Sequence, residues 1–365
     1  MLKVMFVLPN LGSGGAERNT LNLMRNLDRS RFKPVLFLVK NEGVLSKEVP
    51  ADVEVFKALE SGQRMRWHLP RIVQKLCQAA ADADVIIGAV EFETIYFAAI
   101  AGWLLKRPVM GWIRDDMALF RHNAVTYLVN RRALSSLKQI ITVSCGVAAS
   151  VSHLFPGLQG KIKTIYNFVD PEYIGQLANA APELAKDIPI VIGAGRLEPR
   201  KNFQLLIRAH ADLLARGISN KLIIIGEGPE RANLEQMVRN LGVEATVDLP
   251  GFQSNPYSWI RQARVFVMCS NIEGFSGVII EAMALGVPVV ATDCPSGPAE
   301  ILENGRYGFL IPLDDKAALV EAMTSLLGDA SRVKYFSDLG LERVNDFRPE
   351  LIIPQFEQAI EKVSQ

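Results

Sequence analysis

Two carboxylates eight positions apart, Glu273 and Glu281, are the residues of this chain best placed to do chemistry. Ser276 and Gly277 between them suit a tight loop, and the apolar run at 282–285 predicts that this loop opens into a helix. The start of a helix presents unpaired N–H groups and the positive end of its dipole, which together bind phosphate. Glu281 would then lie about one turn inside the helix, within reach of a sugar hydroxyl. The alternative is that Glu273 is a solvated loop residue and Glu281 an ordinary first-turn acid favoured by the helix dipole.

Basic side chains occur upstream, just after a predicted buried strand. Residues 190–195 form an apolar run that ends in glycine, and Arg196 and Lys201 follow before a run with helical spacing begins at Phe203. Open α/β sheets bind ligands beyond the carboxyl ends of their strands. A fork-shaped guanidinium and a point-charged ammonium at such a place suit a diphosphate.

Two further predicted strands end in glycine or charge. The apolar run 221–225 leads into Gly226 and Gly228, and the run 265–268 ends shortly before Glu273. Parallel strands end at one edge of a sheet, so we expect the loops that follow them to meet there. Chain turns alone would also explain the glycines, but not their repeated combination with charge.

The chain carries five glycine-containing segments, four of them with charged residues, in the order Asn10–Arg18, Gly195–Asn202, Gly226–Pro229, Glu273–Glu281 and Gly286–Thr292. In type and order they resemble the motifs of the retaining family-4 glycosyltransferases (glycosyl transferases group 1), and the chain looks similar to bacterial surface-polysaccharide enzymes over nearly its whole length. The resemblance implies the GT-B fold, an α/β protein of two Rossmann-like doubly wound domains that face a central cleft. It also implies a nucleotide-sugar co-substrate and no obligatory metal or other cofactor.

Breaking the bond between a sugar and its diphosphate requires the growing negative charge to be neutralised. Without a metal, cationic side chains and a helix N-terminus must do this. We therefore predict Arg196 and Lys201 as catalytic cations. The resemblance assigns Glu273 to the face of the donor sugar and Glu281 to the ribose hydroxyls. The other predicted donor-binding residues are Gly14, Gly15, Gly195, Gly226, Gly228, Phe252, Ser276, Gly277, Val278 and Ile279.

One position departs from the family pattern. Many relatives have a histidine that touches the donor sugar directly after the strand at 108–113, where this chain has Arg114, Asp115 and Asp116. Three alternatives stay open: Arg114 contacts a phosphate or a sugar hydroxyl, Asp115 contacts the sugar or the acceptor, or the site is displaced and His122 takes the role. We include Arg114 and Asp115 among the predicted catalytic residues.

A chain of 365 residues is long enough for two domains with sizeable cores. Strand, glycine loop and helix alternate in both halves, with seven strands predicted between residues 3 and 166 and six between 190 and 311. We predict an acceptor-binding domain at 1–172 and a donor-binding domain at 185–348, with the linker in the Pro- and Ala-rich stretch 170–187. The resemblance implies that a last helix, 350–365, packs back on the first domain.

The net charge is +1, which gives no reason to expect a nucleic-acid partner. Its distribution is uneven, because residues 1–180 hold 22 Lys and Arg against 15 Asp and Glu, and residues 181–365 hold 18 against 24. The basic half predicts an anionic partner such as lipid head groups or a lipid-linked phosphate. The basic and aromatic stretches 64–75 and 127–138 are candidate elements for peripheral membrane contact, with solvated helix faces as the alternative.

The four cysteines, Cys77, Cys145, Cys269 and Cys294, show no paired spacing and are predicted to be reduced core thiols of a cytoplasmic protein. The longest apolar segment, 95–105, has eleven residues, whereas a bilayer span needs about twenty. We predict that it is a buried helix, so that any membrane contact, at the inner face of the plasma membrane, is peripheral.

The predicted function is transfer of a hexosyl or N-acetylhexosaminyl residue from a UDP- or GDP-sugar to a lipid-linked or polysaccharide-repeat acceptor, with retention and without a metal. Two alternatives stay open. One is a nucleotide-sugar epimerase of the same fold, which needs no acceptor. The other is a non-catalytic subunit that binds sugar nucleotides, and the presence of all four charged residues, Arg196, Lys201, Glu273 and Glu281, argues against it.

Overall fold

A computed structural model describes residues 1–12, 14–120, 123–179 and 188–365. Contacts divide the chain into two compact units. Unit 1 comprises Met1–Asn167 and Pro349–Gln365, and unit 2 comprises Phe168–Arg348. The division after residue 167 lies a few residues before the predicted domain end at 172.

Unit 1 alternates strands and helices from its first residues. The inner strands are largely apolar and buried, as expected for strands covered on both faces, and the two edge strands are more polar. Its elements up to residue 164 are β1 (Leu2–Leu8), α1 (Gly15–Asn26), β2 (Phe32–Asn41), β3 (Glu54–Glu60), α2 (Leu69–Ala79), β4 (Val85–Gly88), α3 (Glu93–Leu105), β5 (Val109–Ile113), α4 (Ala124–Ser136), β6 (Gln139–Thr142), α5 (Cys145–Leu154) and β7 (Ile162–Thr164).

These strands form one parallel sheet in the order β3-β2-β1-β4-β5-β6-β7. Strand β1 is central, pairing Val4 with Pro34 of β2 on one side and with Val85 of β4 on the other. The strand order reverses between β1 and β4, which makes this a doubly wound sheet whose crevice opens at the carboxyl ends of those two strands.

Unit 2 repeats the pattern with fewer strands. A helix precedes its first strand, and the remaining helices cover a parallel sheet. The elements are α6 (Pro171–Ala178), β8 (Ile190–Ala194), α7 (Phe203–Ala215), β9 (Lys221–Ile225), α8 (Arg231–Leu241), β10 (Val247–Gly251), α9 (Tyr257–Ile260), β11 (Val265–Met268), α10 (Gly277–Ala284), β12 (Val289–Thr292), α11 (Pro298–Ile301), β13 (Phe309–Ile311), α12 (Lys316–Gly328) and α13 (Ala330–Val344).

The second sheet has the order β10-β9-β8-β11-β12-β13, and all its pairings are parallel. Its buried core joins strands β8, β9 and β11 to the apolar faces of α7, α8 and α12. The order reverses between β8 and β11. Both units therefore confirm the predicted doubly wound α/β class.

A last helix, α14 (Pro349–Ser364), belongs to unit 1. The ring of Phe356 lies 4.5 Å from that of Trp112 on β5, both fully buried. The buried carboxylate of Glu357 accepts a hydrogen bond from Asp28 N (2.9 Å) and another from Arg31 Nη1 (2.8 Å). These contacts fix α14 against unit 1 through one apolar and one polar anchor.

Part of the predicted linker is a helix. Asp170 caps α6 by accepting a hydrogen bond from Tyr173 N (2.9 Å), and Pro171 occupies the first helical turn, where its missing N–H costs nothing. Ile174 and Ala178 are buried, so this helix is part of unit 2. Residues 171–178 of the predicted linker therefore form a helix of unit 2, and residues 180–187 lie outside the described residues.

Two predictions of burial were wrong in part. The apolar segment 95–105 is helical, but Ile100, Trp103 and Leu104 of α3 are exposed, because only one side of this helix packs on the sheet. Cys269 and Cys294 are buried, whereas Cys145 at the start of α5 is exposed. Among the described residues, no helix is both long and apolar enough to cross a membrane.

We expect Glu357→Ala to destabilise unit 1 by about 1–3 kcal/mol, because it leaves the amide of Asp28 without its acceptor. Glu361→Ala is the matched control, since Glu361 pairs with the same Arg31 (2.5 Å) but is itself more exposed, and should cost less than about 1 kcal/mol. Urea unfolding followed by tryptophan fluorescence measures both. Equal effects of the two variants would contradict the anchoring role of Glu357.

Candidate active site

The reversal of strand order in unit 2 brings two predicted loops together. The loop after β8 carries Arg196 and Lys201, and the loop after β11 carries Glu273. Ligands of doubly wound sheets bind at this switch point, outside the carboxyl ends of the two strands. The amide of Asn271 donates a hydrogen bond to the carbonyl oxygen of Arg200 (2.8 Å), which joins the loops directly.

A buried ion pair lies between these loops. Lys201 Nζ is 2.5 Å from Glu273 Oε1, and the two side chains are only 15% and 9% exposed. Lys201 ends a 3-10 helix, Pro199–Lys201, and its amide donates to Glu198 O (3.0 Å). Burial and the neighbouring Glu273 raise the pKa of Cys294 to about 12, so this thiol stays protonated beside the pair. The ion pair with Glu273 therefore fixes the position of the Lys201 ammonium at the switch point.

Asn202 stabilises the same loop, a role that sequence reasoning missed. Its backbone is left-handed (φ 48°), a conformation that asparagine tolerates better than most residues. Its side-chain amide donates to Asn271 Oδ1 (3.1 Å) and to Asp314 Oδ1 (2.7 Å). One residue thus bridges three loops of unit 2 directly after the catalytic candidate Lys201.

Helix α10 begins at Gly277, as the spacing predicted, and places Glu281 one turn inside. Ser276 precedes it with a left-handed backbone (φ 44°), and its hydroxyl contacts Met268 Sδ (2.8 Å). The amide of Ile279 donates to the carbonyl of Ser276 (3.0 Å). The amides of Gly277 and Val278 lie in the first turn, before the first intrahelical acceptor.

Glu281 has a neighbour that sequence reasoning missed. The hydroxyl of Tyr257, a buried residue at the start of α9, donates to Glu281 Oε1 (3.3 Å). A buried tyrosine hydroxyl needs such a partner. This contact orients the carboxylate predicted to bind ribose.

Two other predicted residues of this unit are exposed. Arg196 Nε pairs with Glu198 Oε1 (3.0 Å), and Arg200 Nε pairs with the second oxygen of the same carboxylate (3.2 Å). Phe252 follows β10 and is partly exposed. The guanidinium of Arg196 is therefore available to solvent and ligand, unlike the ammonium of Lys201.

The predicted glycines have a packing role. A Cβ atom on Gly226 would lie 1.9 Å from the carbonyl oxygen of Gly195, and one on Gly228 would lie 2.4 Å from that of Leu197. Only glycine permits this approach of the loop after β9 to the loop after β8. These residues shape the site, and any contact of theirs with a donor remains a prediction.

The switch point of unit 1 lies between β1 and β4. Gly14 and Gly15 open α1 after β1, with Arg18 N donating to Gly14 O (3.3 Å). Arg114 follows β5 and is buried, with its guanidinium 3.2 Å from the ring centroid of Trp112. Its Nη2 donates to Thr20 Oγ1 (2.8 Å) and its Nε to the carbonyl of Ala89 (3.2 Å).

This burial constrains the predicted catalytic role of Arg114. Burial lowers the pKa of Arg114 to about 9, although Glu91 and Glu17 act in the opposite direction. Within the described residues its buried Nη1 has no hydrogen-bond partner. Asp115 is half-buried beside it, and His122, the third alternative, lies outside the described residues.

Glu91 is a titratable group that sequence reasoning missed. It follows β4, and its Oε2 accepts a hydrogen bond from Arg114 N (3.0 Å). Burial, reinforced by the nearby charge of Asp115, raises the pKa of Glu91 to about 7. The next residue, Phe92, has a left-handed backbone (φ 63°), which is strained for a bulky side chain and typical of functional sites. The sequence signal available for Glu91 was its position just after the short apolar strand β4.

We expect Glu91 to make the fold less stable as pH rises. A carboxyl whose pKa is raised on folding from 4.5 to about 7 favours the folded state below pH 4.5, and that contribution is lost as pH rises through 7. Between pH 5 and 8 the free energy of unfolding of the parent should fall by about 2–3 kcal/mol relative to that of Glu91→Gln. Unfolding midpoints at the two pH values measure this. Glu93 is an exposed neighbour, so the stability of Glu93→Gln should change with pH as that of the parent does. If stability changes with pH in the same way for all three proteins, the raised pKa of Glu91 is refuted.

We also expect Lys201→Met to destabilise unit 2 by about 3–5 kcal/mol, since it leaves Glu273 buried without its cation. The double variant Lys201→Met/Glu273→Gln removes both charges and should recover most of that loss. Chemical denaturation of the parent, the single variants and the double variant completes the cycle. A double variant as unstable as the lysine variant would show that the pair is not coupled.

The two doubly wound α/β sheets match the two-domain architecture of the GT-B fold, and comparison with known proteins assigns the family. Residues 13–173 match the family Glycosyltransferase Family 4, and residues 177–342 match Glycosyl transferases group 1. The chain belongs to these glycosyltransferases.

Individual relatives are similar over most of the chain. The chain is 28% identical, over 95% of its length and 96% of the relative's, to the Campylobacter jejuni N-acetylgalactosamine-N,N'-diacetylbacillosaminyl-diphospho-undecaprenol 4-alpha-N-acetylgalactosaminyltransferase. It is 28% identical to N-acetyl-alpha-D-glucosaminyl L-malate synthase of Bacillus anthracis, over 71% of this chain and 70% of that one. The crystal structure of Anabaena Alr3699/HepE in complex with UDP-glucose shares the fold, with a TM-score of 0.85 at 22% identity over 99% of this chain and 100% of that chain.

Proposed function

We propose that the chain transfers a hexosyl or N-acetylhexosaminyl residue from a UDP- or GDP-sugar to a lipid-linked or polysaccharide-repeat acceptor, with retention, in bacterial glycan assembly at the inner face of the plasma membrane. The observation that carries the proposal is the buried Lys201–Glu273 pair at the switch point of unit 2. Two relatives whose names describe N-acetylhexosamine chemistry support the sugar class, and the undecaprenol-linked acceptor in one name supports the lipid-linked acceptor.

The charges at this switch point suit the departure of a diphosphate. As the bond between the anomeric carbon and the diphosphate oxygen breaks, negative charge grows on the leaving group. Lys201, fixed by its carboxylate partner, and Arg196, exposed on the same loop, supply positive charge to it. The first turn of α10 adds backbone N–H groups and the positive end of its dipole. This set can act without an obligatory metal.

The remaining steps are those of a same-face transfer, the route proposed here for retention. The acceptor hydroxyl forms its bond to the anomeric carbon on the face from which the diphosphate leaves, and its proton passes to an oxygen of that diphosphate. No side-chain nucleophile is required. Glu281, oriented by Tyr257, holds the ribose of the donor, and Glu273 faces the donor sugar.

Two other functions remain candidates for testing. An epimerase of the same fold would change the donor without an acceptor, and a non-catalytic subunit would bind the donor and leave it unchanged. A binding subunit would not need cations arranged to stabilise a departing diphosphate. An epimerase that breaks the same bond would need them, so only dependence on an acceptor separates the epimerase from the transferase.

The experiment is incubation with a panel of UDP- and GDP-sugars, with and without a membrane extract as acceptor, followed by mass spectrometry of both lipid and nucleotide fractions. We expect a sugar-sized mass increase on a lipid-linked acceptor, and activity that survives EDTA. A changed donor without acceptor would identify an epimerase. An unchanged donor in every reaction would favour the binding subunit, and complete loss in EDTA restored by manganese would refute the metal-independent mechanism.

In the same assay Arg196→Ala should lower turnover by about tenfold or more, because it removes a cation from the developing charge. Arg200→Ala is the matched control, since Arg200 pairs with the same Glu198 carboxylate but has no predicted role. It should retain near-parental turnover. Equal losses in both variants would attribute the effect to the loop and not to the charge of Arg196.

A further inference from the structure

A large apolar groove lies on the surface of unit 1. Its volume is about 1010 Å³, and it is formed by the 3-10 helix Met65–Trp67 with α2, α3 and α4. Its wall is almost wholly apolar and includes Leu69, Val73, Phe97, Ile100, Leu104 and Val129. Most pockets that bind polar ligands carry several convergent polar groups, and this one has few.

Large apolar side chains project beside the groove. Trp67 is 72% exposed and Trp103 is 79% exposed, and Val125 and Leu128 form an exposed apolar stripe on α4. Helix α3 carries no charged residue after Glu93, although part of it faces solvent. Contiguous exposed apolar surface of this kind marks a contact with another molecule or a membrane.

The charges on the elements that form the groove are mostly positive. The four elements that form it carry five basic residues against a single acid, Glu93; the basic residues are Arg66, Arg71, Lys75, Arg131 and Arg132. Arg66 also places its guanidinium 5.2 Å from the ring centroid of Trp67. A second copy of the chain, docked by the same face, would set these positive charges against each other.

We propose that this groove and its basic border are the docking surface for an anionic lipid bilayer. Apolar side chains enter the hydrocarbon boundary, and arginines and lysines meet the negative head groups, as in other peripheral proteins. The inference deepens the proposed function, and its biological purpose rests on the lipid-linked acceptor. Binding itself can be measured without donor or acceptor, so the two proposals fail separately.

Co-sedimentation with liposomes of phosphatidylglycerol and phosphatidylcholine, compared with phosphatidylcholine alone, is the test. We expect the parent to bind the anionic liposomes at least about tenfold more strongly, and binding to fall as salt shortens the screening length below about 8 Å. Trp67→Ser/Trp103→Ser should lower anionic binding by about tenfold or more. The matched control is Tyr335→Ser/Leu351→Ser, which removes apolar residues that are 58% and 54% exposed but lie outside the groove, and it should bind as the parent does.

A second pair of variants tests the charge. Arg64→Glu/Arg66→Glu/Arg71→Glu should weaken binding to anionic liposomes by about tenfold or more. Arg306→Glu/Arg332→Glu/Lys334→Glu changes the net charge equally on exposed residues of unit 2 and should have little effect. If both triple variants lose the same amount of liposome binding, the effect comes from net charge alone and the proposal is overturned.

Other outcomes also decide the matter. A parent that ignores anionic liposomes, or a tryptophan variant that binds as well as its control, overturns the proposal. Light scattering that finds a dimer of the parent, dissociated by the tryptophan substitutions, would assign the groove to a second copy instead. If liposome binding follows the predicted pattern but only soluble acceptors are glycosylated, the docking surface stands and the lipid-linked acceptor fails.

Discussion

The constraint on which this structure depends is that every strand in each sheet is parallel. All carboxyl ends therefore lie at one edge of each sheet, and loops that are far apart in sequence meet at that edge. Lys201 and Glu273, 72 positions apart, pair because β8 and β11 are neighbours at the reversal of strand order. Glu91 and Arg114 meet in unit 1 through strands β4 and β5, which are also neighbours.

The two switch points use buried charge differently. In unit 2 a cation is matched by one carboxylate, and the arginine on the same loop remains exposed. In unit 1 Arg114 is buried, stacks on Trp112 and is surrounded by polar contacts, while Glu91 is forced towards its neutral form. A buried charge without a partner is costly, so each site holds its ionisable groups in a fixed arrangement. Such arrangements give electrostatic preorganisation, which is the property expected of a site that stabilises developing charge.

Much of this was predictable from sequence, for identifiable reasons. Strands of a parallel sheet are continuous apolar runs, so their positions and the edge that carries Lys201 and Glu273 follow from the pattern. The helical start at Gly277 follows from the loop chemistry before it. Glu91 and Tyr257 were missed because their roles come from partners distant in sequence, which no local pattern records. Helix α6 was missed although the Asp-Pro pair at 170–171 is a good local signal for a helix start.

Helix α3 is a segment whose exposed face cannot be predicted from its hydrophobic pattern. A sequence pattern reveals the exposed face of a helix only when polar residues mark that face, and α3 has none after its first turn. Burial was the natural prediction for such a segment, yet Trp103 and Leu104 face outward. A soluble protein gains nothing from keeping those side chains in water, since their burial would be favourable. Arginines border these exposed side chains. Their exposure is explained if this face, which contacts water in the isolated protein, contacts lipid in the working enzyme.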